Sequence, residues 1–364
     1  PHVGGHARRA GLTPAMAGGR GGTGARGWDE SDIRIRPGKG SRPRTKRRPS
    51  HADAASAMVV SVDRGRWGCV LLDDGPDHVA GTRIVTMRAR ELGRTPIVVG
   101  DHVGVVGDLT GTRDTLSRIV RVEERSTVLR RTADDSDPYE RVVVANAELL
   151  LIVVAVADPP PRAGFVARAL VAAYTGGLEP VICLTKGDLD DPSVFAAEFD
   201  ALDVPVLQVG IDDDLAALHE RIDGRISAMI GHSGVGKSTL VNRLIPDAHR
   251  ATGVVSGVGK GRHTSTQSVA LELGTDGWVV DTPGIRSFGL AHVSPDDVVA
   301  AFSDLHEIAQ ECPRGCTHQG PPADPECRFD AVTDPAAHRR ALAVRELLGA
   351  LQSNDAWALG TDPD

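Results

Sequence analysis

The chain has 364 residues, of which 41% are hydrophobic and 25% charged, and its formal net charge is −8. This length suffices for two or three globular domains, and the composition is typical of a soluble protein. The most apolar run, residues 149–157, is too short to cross a bilayer, so we expect no membrane partner and a cytoplasmic protein.

The first segment, residues 1–55, is rich in Gly, Ala, Arg and Pro without a hydrophobic period, which predicts a disordered arm. Within it, residues 34–48 carry eight basic side chains and no acidic one. Without those eight, 33 basic and 49 acidic residues remain, a net charge of −16. A basic arm on an acidic body favours a polyanionic partner, although a solubilising tail that binds nothing is an equally good interpretation.

The second segment, residues 56–130, contains five short β-like runs, among them AMVVSV, TRIVTM and LSRIVRV, separated by Gly, Asp and Pro turns. Five such strands predict a small all-β barrel of the oligonucleotide-binding (OB) type, whose open face commonly takes RNA. A barrel that acts only as a spacer stays open as the alternative. Trp67 is the only aromatic side chain of Phe, Tyr or Trp type here that could stack on a base.

The third segment, residues 131–290, alternates apolar strands such as LLLIVVAVA, PVICL and ISAMI with helices around 165–174 and 194–202. This pattern predicts a parallel α/β sheet that is covered on both faces. Ligands of such sheets bind at the carboxyl ends of the strands. We therefore expect the chemistry of this segment in the loops that follow its strands.

One of these loops, GHSGVGKS at residues 231–238, follows ISAMI and leads into the amphipathic STLVNRLI. This is the phosphate-binding pattern in its required context of strand, glycine-rich loop and helix. We expect the loop N–H groups to surround a phosphate, Lys237 to bridge the β- and γ-phosphates, and Ser238 to bind Mg²⁺. The predicted phosphate-binding residues are Gly231, His232, Ser233, Gly234, Val235, Gly236, Lys237, Ser238 and Thr239.

A second loop, in WVVDTPG, places Asp281 44 residues after Lys237. Asp281 is expected to hold Mg²⁺ through a water molecule, and the Gly284 N–H to reach the γ-phosphate. Between them, GKGRHTSTQ offers three hydroxyls, of which Thr264 is the favoured Mg²⁺ ligand.

A third loop, TKGD, follows PVICL and is typical of guanine recognition. Asp188 can accept from guanine N1–H and N2 together, donors that adenine lacks, and Lys186 would lie over the base. The predicted base-binding residues are Thr185, Lys186, Gly187 and Asp188. Because this loop precedes the phosphate loop, the order predicts a circularly permuted GTPase domain.

The last segment, residues 291–353, is predicted to be helical around the cluster Cys312, Cys316, His318 and Cys327, before a tail at 354–364. Three thiolates and one imidazole suit a closed, structural Zn²⁺ site. Unliganded cysteines around a Pro-rich loop are the alternative. Cys69 and Cys183 lie in strand patterns and are expected to be core residues.

Together, TKGD, GHSGVGKSTL, GRHTST, DTPGIRSFGL and CPRGCTHQGPPADPEC resemble the RsgA family over about residues 56–350. The resemblance implies slow GTP hydrolysis with Mg²⁺, stimulation by the small ribosomal subunit, and a role late in the maturation of that subunit. Three features depart from the family pattern. Thr185 replaces Asn, LQVG lacks the Ser-Ala pair behind the base, and the metal cluster is one residue shorter in its first gap and three longer in its last.

The residue that orients the attacking water is not evident. Ile285 occupies the position of the usual Gln and cannot donate or accept a hydrogen bond. His263 is the nearest catalytic candidate, and an RNA contact is an equally good role for it. We expect a monomeric GTPase whose release from the small subunit is coupled to hydrolysis. The alternatives are a GTP-gated RNA-binding scaffold with incidental hydrolysis and a permuted GTPase of the large subunit.

Overall fold

The computed structural model describes residues 51–112, 115–132, 139–245, 268–282, 290 and 292–352. All of them belong to one compact unit that spans residues 49–364. The predicted basic arm at 34–48 and the tail at 354–364 lie outside the described residues.

The first part of the described chain is a closed five-stranded barrel. Its strand order is β1-β2-β3-β5-β4, and β4 pairs back onto β1. Only β3 and β5 run parallel among these pairs. Apolar side chains such as Val59, Ile84 and Ile119 fill the interior, which confirms the predicted OB-like barrel. The strands are β1 Ala55–Asp63, β2 Arg66–Leu71, β3 Arg83–Arg88, β4 His102–Val106 and β5 Ser117–Val122.

An antiparallel ribbon, β6 Val128–Arg131 and β7 Arg141–Ala145, follows the barrel and was not predicted. It is fixed to the barrel at the loop before β4. Asn146 Nδ2 donates to Gly100 O at 2.9 Å, and the Ala145 N–H donates to Val99 O at 3.0 Å. One backbone hydrogen bond and one side-chain hydrogen bond therefore fix the end of the ribbon to the barrel.

A parallel sheet with one antiparallel edge strand forms the centre of the molecule, in the order β10-β9-β8-β11-β13-β12. Every residue of β8 is buried. Its alternate side chains belong to two separate apolar clusters, one on each face of the sheet, as predicted for a sheet covered on both sides. The strands are β8 Leu149–Ala155, β9 Glu179–Thr185, β10 Val206–Gln208, β11 Ile226–Ile230, β12 Val269–Glu272 and β13 Trp278–Asp281.

Four described helices accompany this sheet: α1 Ala163–Gly176, α2 Pro192–Ala196, α3 Ala216–Ile222 and α4 Lys237–Leu244. The single helix predicted at 194–202 is divided. It is α-helical only to Ala196 and continues as the 3₁₀ helix Ala197–Leu202. Phe195 and Phe199, one on each of these two helices, are in edge-to-face contact, with ring centroids 5.3 Å apart.

The barrel joins the central sheet edge to edge, because Ser61 of β1 pairs with Val269 of β12. Side chains reinforce this junction. Arg83 Nη2 lies 3.0 Å from Glu272 Oε2, and the same guanidinium lies 5.7 Å from the ring centroid of Trp278. The barrel and the central strands are thus one continuous eleven-stranded sheet.

The strand order agrees with the predicted permutation. β11, which leads into the phosphate-binding pattern, lies between β8 and β13 although it follows β8, β9 and β10 in the chain. β8, β9 and β11 are parallel neighbours. Their carboxyl ends, with TKGD after β9 and GHSGVGKS after β11, therefore lie at one edge of the sheet.

The C-terminal part consists of α5 Pro295–Ala300, α6 Ser303–Ala309, the 3₁₀ helix Arg328–Ala331 and α7 Pro335–Gln352. Ser294 begins α5 with a capping box, in which its amide donates to Asp297 Oδ2 at 2.9 Å. Arg168 of α1 donates to Ala350 O at 2.7 Å and so ties the end of α7 to the central domain. None of the helices among the described residues is long and apolar enough to span a membrane.

Candidate nucleotide site and metal centre

The loop after β11 is shaped by its glycines. Gly234 and Gly236 have left-handed φ values of +81° and +93°, which a side chain would strain. A Cβ on Gly231 would lie 2.5 Å from Val153 O of β8. The backbone can therefore curl tightly over the strand ends, the arrangement that a phosphate requires.

Lys237 begins α4 and folds its side chain back over this loop. Its ammonium donates to Gly231 O and, at 2.9 Å, to His232 O. Burial lowers its pKa, and the charge of Asp281 opposes that change. Burial likewise raises the pKa of Asp281, which Lys237 opposes. A cation and a carboxylate therefore face each other where β11 and β13 end.

The hydroxyl side chains near Lys237 and Asp281 differ in their exposure to solvent. Ser238 and Thr239, in the first turn of α4, are exposed. Thr282, just after Asp281, is buried and donates to Met229 O of β11 at 2.7 Å. The exposed hydroxyls at the helix N-terminus are thus accessible to a ligand, whereas Thr282 fixes one strand end to the next.

The TKGD loop lies directly against the phosphate loop. Thr185 is 4% exposed, and its hydroxyl donates to Val235 O at 2.6 Å. Lys186 has a positive φ of +60° and its ammonium donates to Asp158 O. Asp188 is exposed. The four residues therefore have different positions: Thr185 points into the protein, while Gly187 and Asp188 face solvent.

His232, the second residue of the phosphate loop, is packed against Phe165 with ring centroids 4.7 Å apart. Burial, with the nearby charges of Arg162 and Lys237, lowers the pKa of His232 to about 4. Its imidazole is therefore neutral at pH 7. The sequence pattern includes this position but gives no sign of that environment.

Four sequence-predicted residues of the second loop and of the GKGRHTSTQ segment before it, His263, Thr264, Gly284 and Ile285, lie outside the described residues. Two described residues that sequence analysis missed are Arg243 of α4, which contacts the loop after β10, and Asp296 of α5, which faces His318. A single Arg or Asp on a helix carries no pattern signal, so the sequence offered no means of finding them.

The predicted metal cluster is assembled in the C-terminal part. The ligand atoms of Cys312, Cys316, His318 and Cys327 all lie within 4.8 Å of one another. His318 Nδ1 is 3.6 Å from Cys312 Sγ, 3.6 Å from Cys316 Sγ and 4.0 Å from Cys327 Sγ. Zn–S and Zn–N bonds of about 2.3 and 2.0 Å give tetrahedral S···N edges of about 3.5 Å. The donor set and its spacing therefore fit a tetrahedral metal ion.

The long last gap of the cluster, residues 319–326, is closed on itself by Asp324. Its carboxylate accepts from Thr317 Oγ1 at 2.6 Å and from Gln319 N at 3.0 Å. These bonds hold the start of the loop near its end. The additional residues can therefore bulge outward without separating Cys327 from the other ligands.

A second set of contacts orients His318. Its Nε2 lies 3.7 Å from Asp296 Oδ1, and its ring stacks on Phe329 with centroids 4.9 Å apart. Arg345 of α7 donates to His318 O at 3.0 Å. The imidazole is thus held between α5 and the 3₁₀ helix, and the backbone of His318 is fixed to α7.

The fold and the site define a class of protein. A phosphate-binding loop and a guanine-type loop meet at the carboxyl edge of a permuted sheet, behind an OB-like barrel and before a Cys/His centre, as in circularly permuted GTPases.

The family model described as "RsgA GTPase" matches residues 122–291. Two solved structures agree in fold. YjeQ from Thermotoga maritima is 25% identical with a TM-score of 0.56, covering 81% of this chain and 99% of that one. YloQ, described as a circularly permuted GTPase, is 20% identical with a TM-score of 0.57, covering 83% and 96%.

Curated relatives are similar over the same region. A small ribosomal subunit biogenesis GTPase RsgA from Chlorobaculum parvum is 34% identical over 287 residues, or 76% of this chain and 91% of the relative. One from Pseudomonas syringae pv. syringae is 40% identical over 214 residues, or 56% of this chain; that match spans only 62% of the relative's length. The chain belongs to the RsgA GTPase family.

Proposed function

We propose that the protein hydrolyses GTP in late maturation of the small ribosomal subunit, and that hydrolysis is coupled to its release. The observation that carries the proposal is the direct bond between the two recognition loops, from Thr185 of TKGD to Val235 of the phosphate loop. This bond joins the loop that is predicted to bind guanine to the loop that is predicted to bind phosphate. The relatives named small ribosomal subunit biogenesis GTPase support the choice of partner.

In this proposal the phosphates lie on the loop from Gly231 to Thr239, at the N-terminus of α4. Lys237 leaves its loop carbonyls to contact the β- and γ-phosphates, and the Gly284 N–H contacts the γ-phosphate. Asp188 accepts from the guanine N1–H and N2 amine, and Lys186 lies over the base. Because Thr185 is buried, its part is to position the loop.

Mg²⁺ fits the residues present. Ser238 offers an exposed hydroxyl, and Asp281 supplies a half-buried carboxylate beside Lys237. We propose Ser238 and Thr264 as direct ligands and Asp281 as a ligand through water. The ion would neutralise charge on the β- and γ-phosphate oxygens.

His263 is the proposed residue for positioning the attacking water, because Ile285 cannot hydrogen-bond to it. His263→Ala is expected to lose stimulated turnover while it retains GDP affinity. Full stimulated turnover in this variant would assign water positioning to another group, such as the RNA itself.

The barrel offers a surface for ribosomal RNA. Arg66, Met87 and Arg118 pair across β2, β3 and β5 and are all exposed. They form a row of two cations around an apolar side chain, suited to phosphates and a base. A groove on the barrel lined by Asp53, Asp73, Asp74, Asp77 and Asp108 would repel phosphates. We therefore place RNA on the arginine row, with the basic arm at 34–48 as a further contact.

We propose that the Cys/His centre binds one structural Zn²⁺ through Cys312, Cys316, His318 and Cys327. All four positions of a tetrahedron are then occupied by protein, so the ion supplies stability and no chemistry. Metal analysis of the purified protein is expected to give one zinc per chain, and Cys312→Ser together with Cys327→Ser is expected to abolish it.

The deciding experiment is GTP turnover with and without purified small ribosomal subunits in the cytoplasmic ionic conditions where the subunit matures. ATP, large subunits and Lys237→Ala are the controls. Stimulation by small subunits alone, restricted to GTP and lost in Lys237→Ala, is expected. Turnover that neither subunit changes would contradict the proposal and favour a GTP-gated RNA-binding scaffold.

A further inference from the structure

Arg243 lies in the last turn of α4 and points toward the loop that follows β10. Its Nη1 donates to Gly210 O and lies 3.5 Å from Val209 O, and its Nη2 donates to Asp213 O. Val209 and Gly210 are buried, and Arg243 is half-buried. One guanidinium therefore bonds to carbonyls at both ends of the turn 210–213.

The turn is also closed on itself. The Gly210 N–H donates to Asp213 Oδ2 at 2.6 Å, and the Asp213 N–H donates to Gly210 O at 3.3 Å. Arg243 binds the carbonyl side of this closed turn. Because hydrogen bonds from a charged donor are stronger than those between neutral groups, the contact fixes the position of the turn.

The turn abuts the base-recognition loop. A Cβ built on Gly210 would lie 3.6 Å from the backbone nitrogen of Lys186 and 2.9 Å from Asp213 Oδ2. The distance to Lys186 is an ordinary van der Waals contact, so the turn lies directly beside the start of the base-recognition loop. The turn 210–213 forms a wall beside Lys186. Lys186 belongs to the same loop as Asp188, the residue predicted to bind the base.

We propose that Arg243 is a positioning residue for base selection: it holds the turn 210–213 against the TKGD loop, so that a base beside Asp188 meets a fixed wall. This inference rests on the proposed binding of GTP. A preorganised wall adds selectivity because the correct base does not have to order the loop when it binds. The planar guanidinium can reach two carbonyls at once, whereas a lysine ammonium cannot match that geometry.

The test compares Arg243→Ala, Arg243→Gln and Arg243→Lys with Asn242→Ala, an exposed neighbour on α4. Equilibrium dissociation constants are measured for GDP, for ADP and for inorganic triphosphate, which lacks a base. Thermal unfolding of each variant checks folding. Should Arg243→Ala fail to fold, the Gln and Lys variants carry the comparison.

We expect Arg243→Ala to lower the GDP-to-ADP affinity ratio about tenfold. Triphosphate affinity should stay within about twofold of wild type, because Arg243 contacts no residue of the phosphate loop in the contacts described above. Arg243→Lys should fall between, and Asn242→Ala should match wild type.

An unchanged GDP-to-ADP ratio in Arg243→Ala, or an equal loss of GDP and triphosphate affinity, would overturn the role of Arg243 and leave the proposed function intact. A wild-type protein that binds ADP as tightly as GDP would instead overturn the proposed function, and this inference with it.

Discussion

The hydroxyl of Thr185 donates a 2.6 Å hydrogen bond to the carbonyl oxygen of Val235, and thereby joins two loops that lie 50 residues apart in the chain. Both residues are buried, at 4% exposure each. Replacing Thr185 by Val keeps the shape and removes the donor, so Val235 O is left buried and unsatisfied. We expect the free energy of unfolding to fall by about 1–3 kcal/mol, measured by urea denaturation, and GDP affinity to fall with it.

Thr185→Ser is the matched control, because it keeps the hydroxyl and loses only a methyl group, worth about 0.8 kcal/mol. It should retain GDP affinity. If Thr185→Val binds GDP as tightly as Thr185→Ser does, the hydrogen bond does not position the site.

His232 predicts a pH dependence of stability. Its pKa in the folded protein is about 4 against an ordinary value of 6.5, so between these values the unfolded chain binds more protons than the folded one. The contribution of His232 to the free energy of unfolding is therefore fully present above pH 6.5 and is lost as the pH falls toward 4. His232→Gln should reduce the acid slope of the free energy of unfolding, determined by urea titrations from pH 7.5 to 4.5 without nucleotide.

His338→Gln, which removes an exposed imidazole, is the control for a general effect of losing a histidine. An acid slope in His232→Gln that equals the wild-type slope would show that His232 is charged or solvated in the folded protein.

Local sequence patterns were sufficient where a short segment specifies its own structure. GHSGVGKS could be placed after a strand and before a helix because its glycines and the flanking periodicity are all within 20 residues. The five barrel strands could likewise be predicted from their short β-like runs and from the turn residues between them. The four metal ligands could be grouped because they lie within one loop region, residues 312–327.

Contacts that depend on packing between distant segments could not be predicted. Nothing in β1 or β12 indicates that Ser61 faces Val269, because edge pairing depends on which strand edges the rest of the fold leaves open. The ribbon β6–β7 was missed for a similar reason, since its stability comes from contacts with the barrel loop at Gly100. The bond from the buried hydroxyl of Thr185 to Val235 O could not be predicted either, because the two residues lie 50 positions apart in the chain.

Gly100 tests the contact between barrel and ribbon. It has φ +89°, and a Cβ there would lie 1.9 Å from Ala145 O. Gly65 has a similar φ, +82°, with no atom within 4 Å of its Cβ position. Gly65→Ala should cost about 1–2 kcal/mol through backbone strain alone. Gly100→Ala should cost about 1–3 kcal/mol more, because the clash also displaces the ribbon.

Urea denaturation of the two variants, measured side by side, separates strain from contact. Equal destabilisation would mean that the ribbon shifts freely and that the barrel is not fixed to it at Gly100.

The contact between Asp296 and His318 leads to a prediction for the rate at which the proposed zinc is released. Its Oδ1 lies 3.7 Å from His318 Nε2, on the side of the ring opposite the metal-facing Nδ1. A carboxylate there orients the imidazole and increases its basicity, and loss of such a partner typically costs 10–100-fold in metal affinity. Because the Asp296 side chain is 87% exposed, we expect the lower limit, about tenfold faster zinc release in Asp296→Asn.

Asp297→Asn is the matched control: it weakens the cap of the same helix through Ser294 without altering the nearest carboxylate to His318. Release is followed with a chromogenic chelator. A rate in Asp296→Asn equal to wild type, or matched by Asp297→Asn, would show that the helix, and not the carboxylate, determines zinc retention.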